Sequence, residues 1–277
     1  MTGPKVLKGQ GFGGFVGADT KPESVLDGQT SQVLSPLRYP GSKRRQARYI
    51  AKTLLMQKTR PTVLVEPFAG GASVSLFLLS KGIVKDAVLG ELDPLVAAFW
   101  QEVQAGPKAL LQKMTEVKPT VKNWDHWRQE EPESRLDRAF KCVFLNRTSY
   151  GGILANHTGP IGGRAQSGDY LVDCRYALEA TKARIKVAHG LFKDRVQLVH
   201  EGDYQDTIDK AATIHKGRRR LCYLDPPFYH KAHRLYRHAF DEDAHIKLRD
   251  YLRSLDTSWI LSYDNAPEVH DLYDAAG

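Results

Sequence analysis

From position 36 onward the apolar residues follow two alternating rhythms: short β-branched runs, and longer stretches with apolar positions three and four apart. Arg44 to Met56 has the second rhythm and predicts a helix, and Thr62 to Val65 has the first and predicts a strand. A glycine-bearing turn at Pro67 to Gly71 leads into an amphipathic helix from Ala72 to Leu79, then a strand at Ala87 to Leu89 and a helix from Pro94 to Val103. Strand, glycine turn, helix, strand and acid in that order make half of a doubly wound nucleotide-binding sheet. Pro107 to about Asp194 reads differently, mostly helical and broken by a Gly-rich polar loop at Gly151 to Gly168. Strand-like runs return at Val196 to Val199, Leu221 to Leu224 and Trp259 to Ser262. The pattern predicts one α/β domain over 36–106 and 196–277, a helical insertion over 107–195, and a flexible arm over 1–35 that is rich in Gly, Ser, Thr and Gln. Within the arm, Gly9 to Gly14 matches GxGxxG, but no strand precedes it and no helix follows, so the match has no phosphate cradle behind it.

Composition narrows the class. The 277 residues are 42% hydrophobic and 26% charged, as in ordinary globular proteins, and no run of 18 apolar residues or signal-peptide pattern is present. Cys142, Cys174 and Cys222 are scattered and odd in number. They predict reduced thiols in a cytoplasmic setting, with no disulfide framework and no metal-ligand spacing. Lys and Arg outnumber Asp and Glu by 40 to 32, a formal +8 that is compatible with nucleic-acid binding without requiring it.

The stretch YLDPPFY, Tyr223 to Tyr229, ends an apolar run with a carboxylate, two prolines and two aromatics. Proline lacks an N–H, so the chain after Asp225 is stiff and offers acceptors only. Such a shelf suits an exocyclic amine with a flat ring to stack on Phe228. It is also what a strand leaving a sheet through an Asp-Pro turn looks like. Three more features fall at predicted strand ends, where open α/β sheets place ligands. Glu66-Pro67-Phe68-Ala69-Gly70-Gly71 lets backbone approach a ligand, and Glu91-Leu92-Asp93-Pro94 puts an acid where ribose hydroxyls are bound. Gly202-Asp203-Tyr204 adds an acceptor for an amino group. The structural alternatives are a plain glycine turn, helix-capping acids and an ordinary loop.

The order of six motifs carries a resemblance. Leu37-Arg38-Tyr39-Pro40-Gly41-Ser42-Lys43, the EPFAGG turn, Glu91 to Pro94, Leu145-Asn146-Arg147-Thr148-Ser149-Tyr150-Gly151-Gly152, DPPF, and Leu261-Ser262-Tyr263-Asp264-Asn265 together resemble the Dam-type (D12 class) adenine-specific DNA methyltransferase family. The resemblance runs from about Pro36 to the end of the chain. It implies a Rossmann-like S-adenosylmethionine-dependent methyltransferase sheet, S-adenosylmethionine as cofactor, and the N6 of a flipped-out adenine in double-stranded DNA as acceptor. Carried over by position, Tyr39 and Lys43 resemble the methionine-end pocket, and Glu66, Phe68 and Gly70 the cofactor turn. Glu91 resembles the ribose acid, Leu92 the residue against the cofactor adenine, and Asp203 the acceptor of the cofactor's amino group. Asp225, Pro226, Pro227 and Phe228 resemble the catalytic tetrapeptide.

The chemistry agrees with the resemblance. The lone pair of an adenine amino nitrogen is delocalised, and acceptance of one hydrogen by Asp225 and the other by the Pro226 carbonyl frees it for attack. Neither a metal nor a strong base is needed, and an adenine in a duplex must be flipped out to be reached. Asn146, Arg147 and Tyr150 resemble the target-recognition segment, and the loop after the shelf, where Lys231, Arg234 and Arg237 are interleaved with aromatics, is expected to hold phosphates or cover the flipped base, with a solvated loop as the structural alternative. Lys216, Arg218, Arg219 and Arg220 precede a strand and are expected at the far, solvated edge. The family commonly has a DNA-reaching hairpin where Asn156 to Gly168 lies, and a helix and two strands after Leu261 to Asn265; this chain matches the first poorly and ends at Gly277. Alternatives with the same shelf are RNA adenine or cytosine N4 methylation, and from another class a non-catalytic nucleic-acid-binding protein. The target sequence, the oligomeric state and a role in restriction-modification, phage defence or regulation stay open.

Overall fold

The computed structural model describes residues 6–8, 35–230 and 232–274. Its strands are β1 (Val6–Lys8), β2 (Val63–Glu66), β3 (Asp86–Glu91), β4 (Val196–Glu201), β5 (Arg220–Leu224) and β6 (Ser258–Ser262). They form one sheet in the order β1-β6-β5-β2-β3-β4, with β2 to β6 mutually parallel and β1 antiparallel on β6. All four residues of β2 and the last four of β5 are buried, as expected of strands covered on both faces.

The helices are α1 (Arg44–Leu55), α2 (Ser73–Ser80), α3 (Pro94–Ala105), α4 (Lys108–Glu116), α5 (Val121–Gln129), α6 (Arg135–Thr148), α7 (Leu178–Phe192), α8 (Tyr204–Ile214), α9 (Ala232–Leu235), α10 (Glu242–Ser254) and α11 (Pro267–Asp274). Their faces follow from residue spacing. In α1 the buried residues are Ala47, Ile50, Ala51, Leu54 and Leu55, a stripe with three- and four-residue steps. α2 is apolar nearly all round and buried from Val74 to Leu79. α3 starts where Asp93 accepts the Leu95 N–H and Pro94 takes the first helical position, and it stops at Gly106 with φ +148°.

One hydrophobic cluster runs from the sheet into the predicted insertion. Leu64 and Leu89 of the sheet and Trp100 of α3 share it with Trp124, Phe140, Phe144, Tyr176 and Phe192. Between α6 and α7 the chain is irregular, with a 3-10 turn at Tyr150–Gly152 and a single antiparallel bridge from Ser149 to Pro160 in place of a hairpin.

Two expectations change. Val6 to Lys8 lie in the stretch read as a flexible arm, yet they form a strand, because the outer edge of β6 offers unpaired N–H and C=O groups that a short segment satisfies. The rest of the arm, including the Gly9 to Gly14 match, lies outside the described residues. Arg218, expected on a solvated edge, pairs with Asp86 at 2.5 Å, and the Arg219 carbonyl accepts from the Thr62 and Val63 amides, so this run braces the amino ends of β2, β3 and β5.

Candidate active site

Because β2 to β5 are parallel, the residues that follow them emerge on one edge of the sheet. The sheet order reverses between β2 and β5, and a cleft open to solvent lies there. Glu66, Glu91, Asp203 and Asp225 reach its wall from four different strand ends, and Tyr39 and Lys43 reach it from the segment before α1.

The turn after β2 is built on Gly70. Its φ is +46°, its N–H donates to Glu91 Oε2 at 2.8 Å, and its carbonyl accepts from Trp100 Nε1 at 2.8 Å. A Cβ there would sit 2.7 Å from the Tyr39 ring, so glycine is required both by the backbone and by the closeness of that ring. Glu91 Oε1 accepts the Asp93 N–H at 3.0 Å. Burial, with the neighbouring charge of Asp93, pushes the Glu91 carboxyl up to about 7 against the pull of those amides. Leu92, beside it, is 46% exposed and lines the cleft, an apolar surface suited to a flat ring. Phe68 stacks on Tyr204 at 5.6 Å. Asp203 caps α8 by accepting the Asp206 N–H at 2.9 Å and also lines the cleft, so the capping reading and the ligand-facing position coexist.

On the other wall Asp225 leaves β5. Lys43 Nζ lies 2.5 Å from Asp225 Oδ1, donates to the Gly41 carbonyl at 3.0 Å, and sits 5.5 Å from the centre of the Phe228 ring. Burial raises the Asp225 carboxyl to about 6, while Lys43 pulls the other way. Pro226 is buried, Pro227 lines the cleft, and the Tyr229 N–H donates to Asp264 Oδ1 at 3.0 Å, which ties the end of the shelf to the loop after β6.

Tyr236, within the interleaved 229–238 stretch, adds an aromatic wall to the cleft. Tyr236 stacks on Tyr39 with ring centres 5.9 Å apart, stands edge-on to Phe228 at 5.9 Å, and donates from its hydroxyl to the Pro40 carbonyl at 3.3 Å. The aromatic and basic interleaving of 229–238 is the sequence signal for this loop, and Tyr236 lies beside Phe228. Arg237, one of the residues expected on phosphate, pairs with the nearly buried Asp93 Oδ1 at 2.8 Å while the residue as a whole stays exposed.

The expected nucleic-acid residues divide. Asn146 is 1% exposed and Arg147 5%, so neither is presented to a duplex. Asn146 Oδ1 accepts the Arg38 N–H at 2.7 Å, and its Nδ2 donates to the carbonyls of Arg38 and Gly152 at 3.0 and 2.8 Å. Arg147 Nη2 donates to the Pro36 carbonyl. They lie inward because α6 turns this part of its surface toward the 36–38 segment, which offers backbone groups needing partners. Tyr150, just beyond, is 72% exposed, and Arg234 is exposed with its carbonyl 3.1 Å from His157 Nε2. Lys231 lies outside the described residues.

The wall residues suit a nucleoside: glycines for close approach, Leu92 for a flat ring, and acids at Glu91 and Asp203 for hydroxyl and amino hydrogens. Among the described residues no group of three or more His, Cys, Asp or Glu side chains is placed to hold a metal ion, and no helix is long and apolar enough to cross a membrane. Residues 39–277 match the family model described as D12 class N6 adenine-specific DNA methyltransferase. No curated protein matches the chain.

Proposed function

This chain belongs to the D12 class of N6 adenine-specific DNA methyltransferases, and from that membership we propose that it uses S-adenosylmethionine to methylate an adenine flipped out of double-stranded DNA. The observation that carries the reading is the placement of Asp225 on the same cleft as the Gly70 turn, Glu91 and Leu92. A nucleoside cofactor fits there: Leu92 presents apolar surface, and Glu91 and Asp203 supply acceptors. Tyr39, Glu66 and Phe68 shape the wall between them. S-adenosylmethionine would supply an electrophilic methyl group.

The chain's own contribution is to make the adenine amine a nucleophile. Asp225, largely ionised above its value of about 6, accepts one N6 hydrogen, and the Pro226 carbonyl accepts the other. The nitrogen then pyramidalises and its lone pair leaves conjugation with the ring, and acceptance of both hydrogens strengthens as positive charge builds on nitrogen. When the methyl group has moved, N6 gives up one proton, which Asp225 is placed to accept and pass to water. Phe228 offers the stacking face for the extruded base. Tyr150, exposed next to a glycine turn on the 107–195 insertion, and Arg234 face the duplex in this reading.

The test is transfer of labelled methyl groups to duplex DNA. Wild type is expected to label adenine N6, and Asp225→Ala to lose at least about 100-fold in rate. Labelling of RNA or of cytosine instead, or undiminished labelling by Asp225→Ala, overturns the reading.

A further inference from the structure

Lys43 makes contacts that the cofactor assignment did not anticipate. Its side chain is only 10% exposed, and its ammonium is shared between the Gly41 carbonyl and Asp225 Oδ1. It enters from the residue before α1, 182 positions away from Asp225 in the chain, so neither local sequence nor β5 itself sets this pair. Burial and the Asp264 carboxylate on the loop after β6 both disfavour a negative charge on Asp225, and Glu66 at the end of β2, Tyr223 and Tyr236 are titrating groups that feel its charge. A buried carboxylate in such company would take up a proton unless a cation opposed it.

We propose that Lys43 is a positioning residue for methyl transfer: its ammonium fixes one oxygen of Asp225 and holds the carboxylate ionised, so that the other oxygen is presented to the adenine amine. The proposal rests on the reading of Asp225 as acceptor of an N6 hydrogen. It departs from a role for Lys43 as a cofactor contact, and the two roles give different measurements. Loss of a cofactor contact weakens cofactor binding at every pH. Loss of a positioning cation leaves cofactor binding intact and makes Asp225 protonate at higher pH. A neutral Asp225 is a poorer acceptor, so the rate is lost at low pH and recovered at high pH.

The experiment compares wild type, Lys43→Met and Lys43→Arg by two readouts. The first is a ¹³C-carboxyl NMR titration of the protein itself, with the Asp225 signal identified by its loss in Asp225→Asn. The second is single-turnover methylation of duplex DNA from pH 5.5 to 9. In wild type both midpoints are expected near the Asp225 value of about 6. In Lys43→Met both move up by one unit or more, about tenfold less ionised carboxylate on the acid limb, with cofactor Kd unchanged. Lys43→Arg keeps the wild-type midpoints. An Asp225 midpoint unmoved in Lys43→Met, or a rate lost evenly across pH together with weaker cofactor binding, overturns the proposal. Lys43→Gln replaces the methionine variant if that one does not fold. If wild type methylates no adenine, the functional reading fails separately, and the carboxyl titration still decides whether Lys43 governs Asp225.

Discussion

At the residue scale, Glu66 carries an unusual burden. It ends β2 with its side chain buried, and its Oε2 accepts from both the Ser75 amide, at 3.0 Å, and the Ser75 hydroxyl. Burial outweighs these donors, and with Asp225 adding to it the carboxyl is pushed up to about 8. The unfolded chain would release this proton near 4, so the folded state holds the extra proton between those values, and stability falls as pH rises through that window. Glu91, raised to about 7, acts in the same direction. His200, His215 and His245, whose values burial lowers, oppose this only below their unfolded value of about 6.5. Raising the pH from 6.5 to 8.5 is therefore expected to lower the Tm of the free protein. Glu66→Gln should flatten that slope, so that its stability relative to wild type rises by on the order of 2 kcal/mol between pH 6 and pH 8.5. Thermal melts at the two pH values check it, and a variant as pH-sensitive as wild type contradicts it.

At the element scale, the last turn of α6 is a clamp on the chain entering the site. Asn146 pairs with both backbone groups of Arg38, and Gly152, at φ +74°, lies so close that a Cβ would stand 2.3 Å from the Arg38 carbonyl. The clamped segment continues directly into Tyr39, which lines the cleft. Asn146→Ala would leave three backbone groups, the Gly152 carbonyl buried and both Arg38 groups half-buried, without this partner, at a cost of about 3 kcal/mol. Urea denaturation should show that loss, and cofactor affinity should fall although Asn146 does not touch the cleft. A variant with full stability that is weakened only in DNA binding would restore Asn146 to the DNA interface.

At the scale of the molecule, a parallel sheet gathers four acids onto one edge while the chain as a whole carries a formal +8. The acids face inward to the cleft, and the positive excess is left for the surface. Duplex binding should then release counterions, and Kd should rise by at least about tenfold between 50 and 200 mM salt. Filter binding across that range measures the slope. A flat dependence would mean that phosphate contacts contribute little.

Local chemistry by itself determined much of this protein. The short apolar runs at Val63, Leu221 and Trp259 and the three- and four-residue spacing of α1 are properties of neighbouring residues, and they mark the elements to within a residue or two. The acids at strand ends were legible for the same reason, since a parallel strand and its glycine or proline turn are contiguous in sequence. Only the tertiary structure decided which way the longer side chains turn. Asn146 meets a backbone 108 residues away, Arg237 meets an acid 144 residues away, and Lys43 meets Asp225 across the cleft. Those pairings depend on how α6, the 229–238 segment and the start of α1 are rotated and packed against one another. No periodicity records that rotation, because it is set by the shared core from Trp100 to Phe192 and by buried polar groups that must each find a partner.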